Sequence, residues 1–449
     1  MSRKKSVQKM KTAHRGKRAA HPSRPENSSR TSLIGKPPLL NASPPKAETA
    51  KAAPIPETRT ASPRILMVMD QFNVGGTETY ILSLTKELLR QGTSVVVAGK
   101  KGRILDSFVG LGCPCYEIDF VLDHFELDQS SWRKHLELLK SIIVSERIDL
   151  VHGHQVPSGQ IALQAAAEMN VPFVFTVHGT YYEEPFLRKL HGGASLISVS
   201  PAVHNLLAKK GIPSLLIPNG IHIHDQGIPS ITYKEYTRER LGLPIGAKVV
   251  MYAGRLTWEK AEICSDILRA VCEMNLVPTR NVYLMIAGGG LRQSDIERQI
   301  EEIHHAFKSN SIVYCGEVLN IHSYYHASDV VIGTGRIALE AMSCGSPFIA
   351  VGSKGEVGIV RPEVYSEAWN NWFGDHGAKQ MWSVGRISNQ IQEALSMNDK
   401  DRMHLVQRNK QWVANHFHIT PITKKINDLY RSLIYKTPEI EPIAVSMNG

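Results

Sequence analysis

The stretch SDVVIGTGRIALEAMSCGSPFIAVG, residues 328–352, decides the fold. Residues 329–332 read as a short apolar strand and Gly333-Thr334-Gly335 as a turn. A helix follows, and 347–351 form a second apolar strand. A βαβ unit of this kind puts its turn at the carboxyl end of the sheet, where open α/β sheets bind ligands. The glycines let the backbone come close to a ligand, and the free N–H groups of the helix start favour an anion. Glu340 lies one turn inside that helix, where a carboxylate can accept a pair of hydroxyls such as a ribose offers. The local reading is a site for a nucleotide or a sugar phosphate.

Working outward, the same alternation runs through most of the chain. ILMVMD (65–70) is an apolar strand, NVGG (73–76) a turn, and 77–91 repeats apolar residues at helical spacing. Strands at 94–99, 115–119, 148–154, 172–179, 196–200 and 214–220 alternate with helices at 132–146, 159–169 and 201–210. Residues 221–247 lack this rhythm. It restarts with KVVMYAG (248–254) and passes through VYLMIAG (282–288) and IVYCG (312–316) to the opening unit; helices at 401–417 and 421–435 close the chain. Strands alternating with helices at this pace predict parallel, doubly wound sheets. The expected organisation is an α/β protein with a disordered basic tail (1–62) and a Rossmann-like domain (63–222). A linker (223–247), a second Rossmann-like domain (248–418), a return helix (419–436) and a flexible C-terminus (437–449) complete it.

Length and charge fit this division. A chain of 449 residues exceeds one ordinary core. The net charge of +10 is concentrated at the start: residues 1–60 hold fourteen Lys/Arg and three Asp/Glu, leaving 38 and 39 in the remainder. A nearly neutral body is not built to bind nucleic acid. The tail is too poor in apolar residues to offset the entropy of ordering. Its basic residues would each gain about 1 kcal/mol near an anionic bilayer. No apolar run is long enough to span a membrane and no secretory signal core opens the chain, so the expected location is cytoplasmic, with peripheral contact at the inner membrane face through the tail. The six cysteines lack CxxC spacing and read as reduced thiols, and Asp399-Lys400-Asp401 reads as a helix start rather than a metal site. No metal or cofactor is expected.

Several residues fall at strand ends where ligands bind. GRLTWEK (254–260) sets Arg255 and Lys260 after a strand, where two fixed cations suit a diphosphate leaving group. Gly288 and Gly289 end another strand of that half. In the first half, Gly75 and Gly76 open a helix and Glu78 sits in its first turn, where a carboxylate also favours the helix dipole. His178 ends the strand PFVFTV and faces the cleft, able to hydrogen-bond a sugar hydroxyl or a developing charge. His152 and His154 close the neighbouring strand and read as packing residues.

Taken in order, NVGGTETYILSLTKEL, TVHGTYY, ISVSPAV, LLIPNGI, YAGRLTWEK, MIAGGG and ALEAMSCGSPFIA resemble the motifs of retaining GT-B glycosyltransferases of the family 4 group, across residues 64–435. The resemblance implies two Rossmann-like domains facing across a cleft. The first would take the acceptor and the second a nucleotide-diphosphate sugar. Arg255 and Lys260 would then hold the diphosphate and Glu340 the ribose. Gly75 and Gly76 would approach the phosphate from across the cleft, with Glu78 on the acceptor side, and His178 would contact the transferred sugar. The chain departs from the pattern at Ile332, where the family carries the first of two glutamates. The loop that usually follows is Gly333-Thr334-Gly335-Arg336, whose N–H groups and cation would meet the donor instead. The implied activity is sugar transfer to an acceptor hydroxyl with retention, in cell-surface polysaccharide or glycolipid synthesis. The alternatives are a nucleotide-sugar epimerase of the same form and a non-catalytic nucleotide-sugar-binding partner.

Overall fold

The computed structural model describes residues 62–120, 129–223, 231–277, 281–308 and 310–435. The basic tail and the last residues of the chain lie outside them. Two sheets carry the fold. The first contains β1 (Arg64–Gln71), β2 (Ser94–Lys100), β3 (Cys115–Glu117), β4 (Leu150–Gly153), β5 (Phe173–Val177), β6 (Ser195–Ser198) and β7 (Leu215–Leu216), in the order β3-β2-β1-β4-β5-β6-β7. The second contains β8 (Lys248–Ala253), β9 (Val282–Ala287), β10 (Ile312–Gly316), β11 (Val330–Gly333), β12 (Phe348–Gly352) and β13 (Gly355–Ile359), in the order β10-β9-β8-β11-β12-β13. All pairs are parallel except β12 with β13. Each sheet therefore reverses strand order once, between β1 and β4 and between β8 and β11. Crevices at the carboxyl ends open at those two points.

The strands form where they do because helices cover both faces of each sheet. Ile65, Leu66, Met67, Val68 and Met69 are all fully buried, although successive residues point to opposite faces. Val249, Val250 and Met251 repeat this in the second sheet.

The described part of residues 221–247 includes a helix that their rhythm does not predict, Ile231–Arg240. Its sequence is strongly polar, so apolar periodicity does not reveal it. What holds it is charge. Arg238 and Lys234 reach the Asp329 carboxylate at 2.8 and 2.6 Å, and the Val249 N–H donates to the same carboxylate at 2.8 Å. Arg238 also donates to the carbonyls of Ala327 and Ala247. Burial works to raise the Asp329 carboxyl, but the two cations outweigh it and hold it below its usual value. Asp329→Ala would leave a buried guanidinium without its anion and is expected to cost about 3–5 kcal/mol in urea unfolding. A loss under 1 kcal/mol would show the network to be ornamental.

The chain crosses between lobes twice, side by side. The Ile221 N–H donates to the Phe417 carbonyl and the Ile419 N–H to the Ile221 carbonyl, both at 2.9 Å. The final helix, Ile419–Tyr435, then packs on the helix Gly76–Arg90 and sinks Ile422, Ile426 and Tyr430 into the first lobe's core. Among the described residues no helix is long and apolar enough to cross a membrane.

Candidate functional site

The carboxyl ends of β1, β4 and β5 face those of β8, β11 and β12, and the side chains at these ends touch across the gap. Gly75, after β1, brings its backbone up to the second lobe. A Cβ there would sit 2.3 Å from Glu78 Oε2 and 2.5 Å from Arg255 Nη2, so a side chain at this position would push that acid and that cation aside. Arg255 follows β8 on the other lobe, is about half exposed, and lies 3.8 Å from the buried Glu78 carboxylate. Glu78 accepts from Gln155 Nε2 at 2.8 Å through its other oxygen. Gly76 is exposed, and its missing side chain relieves no contact.

Lys260 enters from the first turns of the helix Trp258–Asn275. Its ammonium meets Asp375 Oδ2 at 2.9 Å. The Asp375 carboxylate also accepts from Ser353 Oγ at 3.0 Å. Burial pushes its pKa up, but Lys260 together with His376 and Ser353 prevails and holds it down. Arg255 with Glu78 and Lys260 with Asp375 form two ion pairs at the facing carboxyl ends of the sheets, and the space they border is the candidate hollow.

The turn after β11 is shaped by what packs on it. Gly335 has φ +60, and a Cβ there would lie 2.8 Å from Trp372 Nε1. Thr334 Oγ1 donates to the Phe373 carbonyl at 2.8 Å. Gly288 and Gly333 press against the carbonyls of Gly254 and Ala253, and Gly289 against the Glu317 side chain; their lack of a side chain first serves contacts between strand ends. Ile332 is fully buried inside β11.

Arg336 makes contacts that the sequence does not show. Read as a loop cation for the donor, it is nine-tenths buried and committed within the protein. Its Nε donates to Glu340 Oε1 at 2.6 Å, Nη1 to the Gly220 carbonyl at 2.9 Å, and Nη2 to Ser83 Oγ at 2.8 Å on the opposite lobe. Arg336 is a tie between lobes. Glu340 consequently presents one oxygen to Arg336, while the other accepts from the Tyr325 hydroxyl at 3.4 Å.

His178 belongs to a buried chain of imidazoles. Thr176 Oγ1 lies 2.8 Å from His152 Nε2, and Tyr430 Oη lies 2.6 Å from His152 Nδ1. The rings of His152 and His154 are 4.0 Å apart, and His154 Nδ1 is 3.2 Å from His178 Nε2. Burial drives all three below the usual histidine value, His152 and His178 to about 3. They are neutral at physiological pH. His178 Nδ1 is buried without a hydrogen-bond partner.

Sequence reasoning passed over the residues that complete the hollow. Ser200, the N-cap of the helix Pro201–Lys209, faces His376 Nδ1 at 2.7 Å. Burial lowers the His376 pKa to about 4. Its ring stacks on Trp372 with an interplanar angle of 20°. The run WNNWFGDHG (369–377) was the available signal: aromatic, glycine, acidic and histidine residues crowded together at the end of the helix Tyr365–Asn370.

Comparisons with known proteins agree with this architecture. The Glycosyltransferase Family 4 model matches residues 74–225, and the Glycosyl transferases group 1 model matches residues 247–369. The chain is 24% identical over 375 residues to a D-inositol 3-phosphate glycosyltransferase of Corynebacterium diphtheriae, covering 70% of this chain and 85% of that protein. A glycosyltransferase structure from Rickettsia africae superposes with a TM-score of 0.67 at 18% identity, covering 84% of this chain and 100% of that one. Anabaena Alr3699/HepE, solved in complex with UDP-glucose, superposes with a TM-score of 0.65 at 17% identity, covering 82% and 99%. The two family models fall on the two lobes in turn, and both lobes match the solved folds together: the chain belongs to the glycosyltransferases of GT-B fold.

Proposed function

We propose that the hollow between the lobes takes a nucleotide-diphosphate sugar and passes its sugar to an acceptor hydroxyl with retention of anomeric configuration. One observation carries the reading: Arg255 and Lys260, each facing a carboxylate, stand at the carboxyl end of the second sheet opposite Gly75 and His178. In the resting protein the cations neutralise Glu78 and Asp375. A diphosphate entering the hollow takes over both, and its charge is met by fixed, preorganised groups. Glu340 would accept the ribose hydroxyls through the oxygen that Tyr325 now shares.

The chemistry then asks little of side-chain acids. The acceptor hydroxyl attacks the anomeric carbon from the face the diphosphate leaves, the glycosidic C–O bond breaks as the new one forms, and the departing phosphate oxygen takes the hydroxyl proton. The protein supplies orientation and charge stabilisation. This scheme needs neither metal nor cofactor. His178, held neutral, offers Nδ1 to the sugar, and the first lobe presents the acceptor. Synthesis of a cell-surface polysaccharide or a glycolipid suits this reading, and the basic segment 1–62 would hold the enzyme against an anionic bilayer.

The experiment is product analysis with UDP-glucose and a panel of acceptors beginning with inositol phosphate. Transfer should yield a nucleoside diphosphate and a glycoside whose anomeric proton coupling matches the donor. A product of opposite configuration would overturn retention. An epimerised nucleotide sugar formed without acceptor would overturn the transfer reaction itself.

A further inference from the structure

On the second lobe, none of the residues described so far offers the transferred sugar a free side-chain acid to read its hydroxyls. Ile332 is sealed inside β11, the turn Gly333–Gly335 carries no carboxylate, and Glu340 is shared by Arg336 and Tyr325. Resting on the donor-site reading above, we propose that Asp375 is the specificity carboxylate that binds hydroxyls of the transferred sugar.

Three observations carry this. The first is place. Asp375 Oδ2 is 2.9 Å from Lys260 Nζ, and the sugar is joined to the phosphate that Lys260 would hold, so the carboxylate stands within one ring's span of the anomeric carbon. The second is capacity. A carboxylate offers about four lone-pair sites; Lys260 takes one on Oδ2, and the Ser353 hydroxyl and main-chain N–H take two on Oδ1 at 3.0 and 3.4 Å, which leaves one for a sugar hydroxyl and a second once Lys260 turns to the diphosphate.

The third is the backbone that delivers it. Trp372, Phe373 and Gly374 have φ of 49, 57 and 90°, three successive residues in the left-handed region. Non-glycine residues pay for that conformation with about 1–3 kcal/mol each, and it persists only where the surroundings over-determine it. Here Trp372 is wedged against Gly335 and stacked on His376, and Gly374 abuts Gly352. The effect is to lay residues 372–376 over the donor turn, with Asp375 on Lys260 and His376 on Ser200 of the other lobe.

Electrostatics gives the proposal its signature. A carboxylate beside the diphosphate repels a bare nucleotide, whereas hydroxyl donors on a bound sugar compensate it. Removing the charge should therefore move two affinities in opposite directions. The test is calorimetric titration of the full chain and of Asp375→Asn with UDP, UDP-glucose, GDP and GDP-mannose. In the variant, the sugar nucleotide that the wild type prefers should bind ten- to about a hundredfold more weakly, the loss of hydrogen bonds to a charged acceptor. Its bare nucleotide should bind as well as before or more tightly. Parallel weakening of both would show that Asp375 only braces Lys260 and would overturn the proposal, as would no change in either. Failure of the wild type to bind any of the four would instead overturn the donor site itself, and this inference with it.

Discussion

Lys260→Ala is expected to reduce sugar transfer by about 10²–10³-fold with the lobes still folded, the usual effect of deleting one preorganised group that stabilises developing charge. Lys260 is the stronger of the two cations because it is less exposed than Arg255 and is fixed by a direct 2.9 Å contact, while Arg255 stands 3.8 Å from Glu78. A fixed cation needs no reorganisation when the diphosphate departs, and partial burial shields it from water. The loss should appear in kcat as well as in donor affinity, since negative charge on the leaving group grows toward the transition state. Arg255→Ala should act in the same direction. The checks are steady-state kinetics with saturating acceptor and circular dichroism to show retained fold. Near wild-type turnover in both variants would remove the donor-site assignment.

Acidification should destabilise the protein steeply below pH 6.5. His152 and His178 are held neutral to about pH 3, His376 to about pH 4, and His154 well below its ordinary 6.5. Burial is the main cause in each, and no carboxylate lies within the His152–His154–His178 chain to compensate. The sign follows from linkage. Above pH 6.5 these histidines are neutral in both folded and unfolded chains and stability does not vary on their account. Between 6.5 and the depressed values the unfolded chain takes up protons that the folded chain refuses, so stability falls as pH falls. Each histidine contributes at most about 1.4 kcal/mol per pH unit, and the four together about 5 kcal/mol per unit near pH 5. Asp375 and Asp329, both held down, add to the loss only below the ordinary carboxylate range. Urea unfolding at pH 7.5, 6 and 5 tests this: stability should already be about 3 kcal/mol lower at pH 6 than at 7.5, and should fall by about a further 5 kcal/mol by pH 5. A flat profile would mean that the histidine chain is hydrated or charged.

Much of the scaffold was legible because one physical signal repeats. A strand buried on both faces writes itself as a continuous apolar run, so β1, β8 and β11 stand out, and a turn after such a run marks the carboxyl end where ligands bind. That logic brought Gly75, His178, Arg255, Lys260 and Glu340 to the two facing crevices. The family resemblance, not the strand pattern, marked Ile332 as a departure, and the structure buries it completely. What escaped depends on contacts between distant residues. Arg336 looks like a loop cation until Ser83 and Gly220 of the other lobe claim it. The helix Ile231–Arg240 has no apolar stripe and forms because Asp329, far along the chain, anchors Lys234 and Arg238. Residues 372–376 could not be placed from local preference, since local preference opposes the left-handed backbone that tertiary packing imposes on Trp372 and Phe373. That segment also carries the acid and the histidine that complete the hollow.

The central claim is that one nucleoside diphosphate is held between the lobes by Arg255, Lys260 and Glu340. A crystal structure of the full chain with UDP or GDP bound tests it most directly. The claim requires the diphosphate oxygens within hydrogen-bond reach of Arg255 and Lys260, the ribose hydroxyls on Glu340, and the Lys260–Asp375 contact opened or shared. A nucleotide bound elsewhere, with Lys260 still closed on Asp375 and Glu340 still closed on Arg336 and Tyr325, would contradict it.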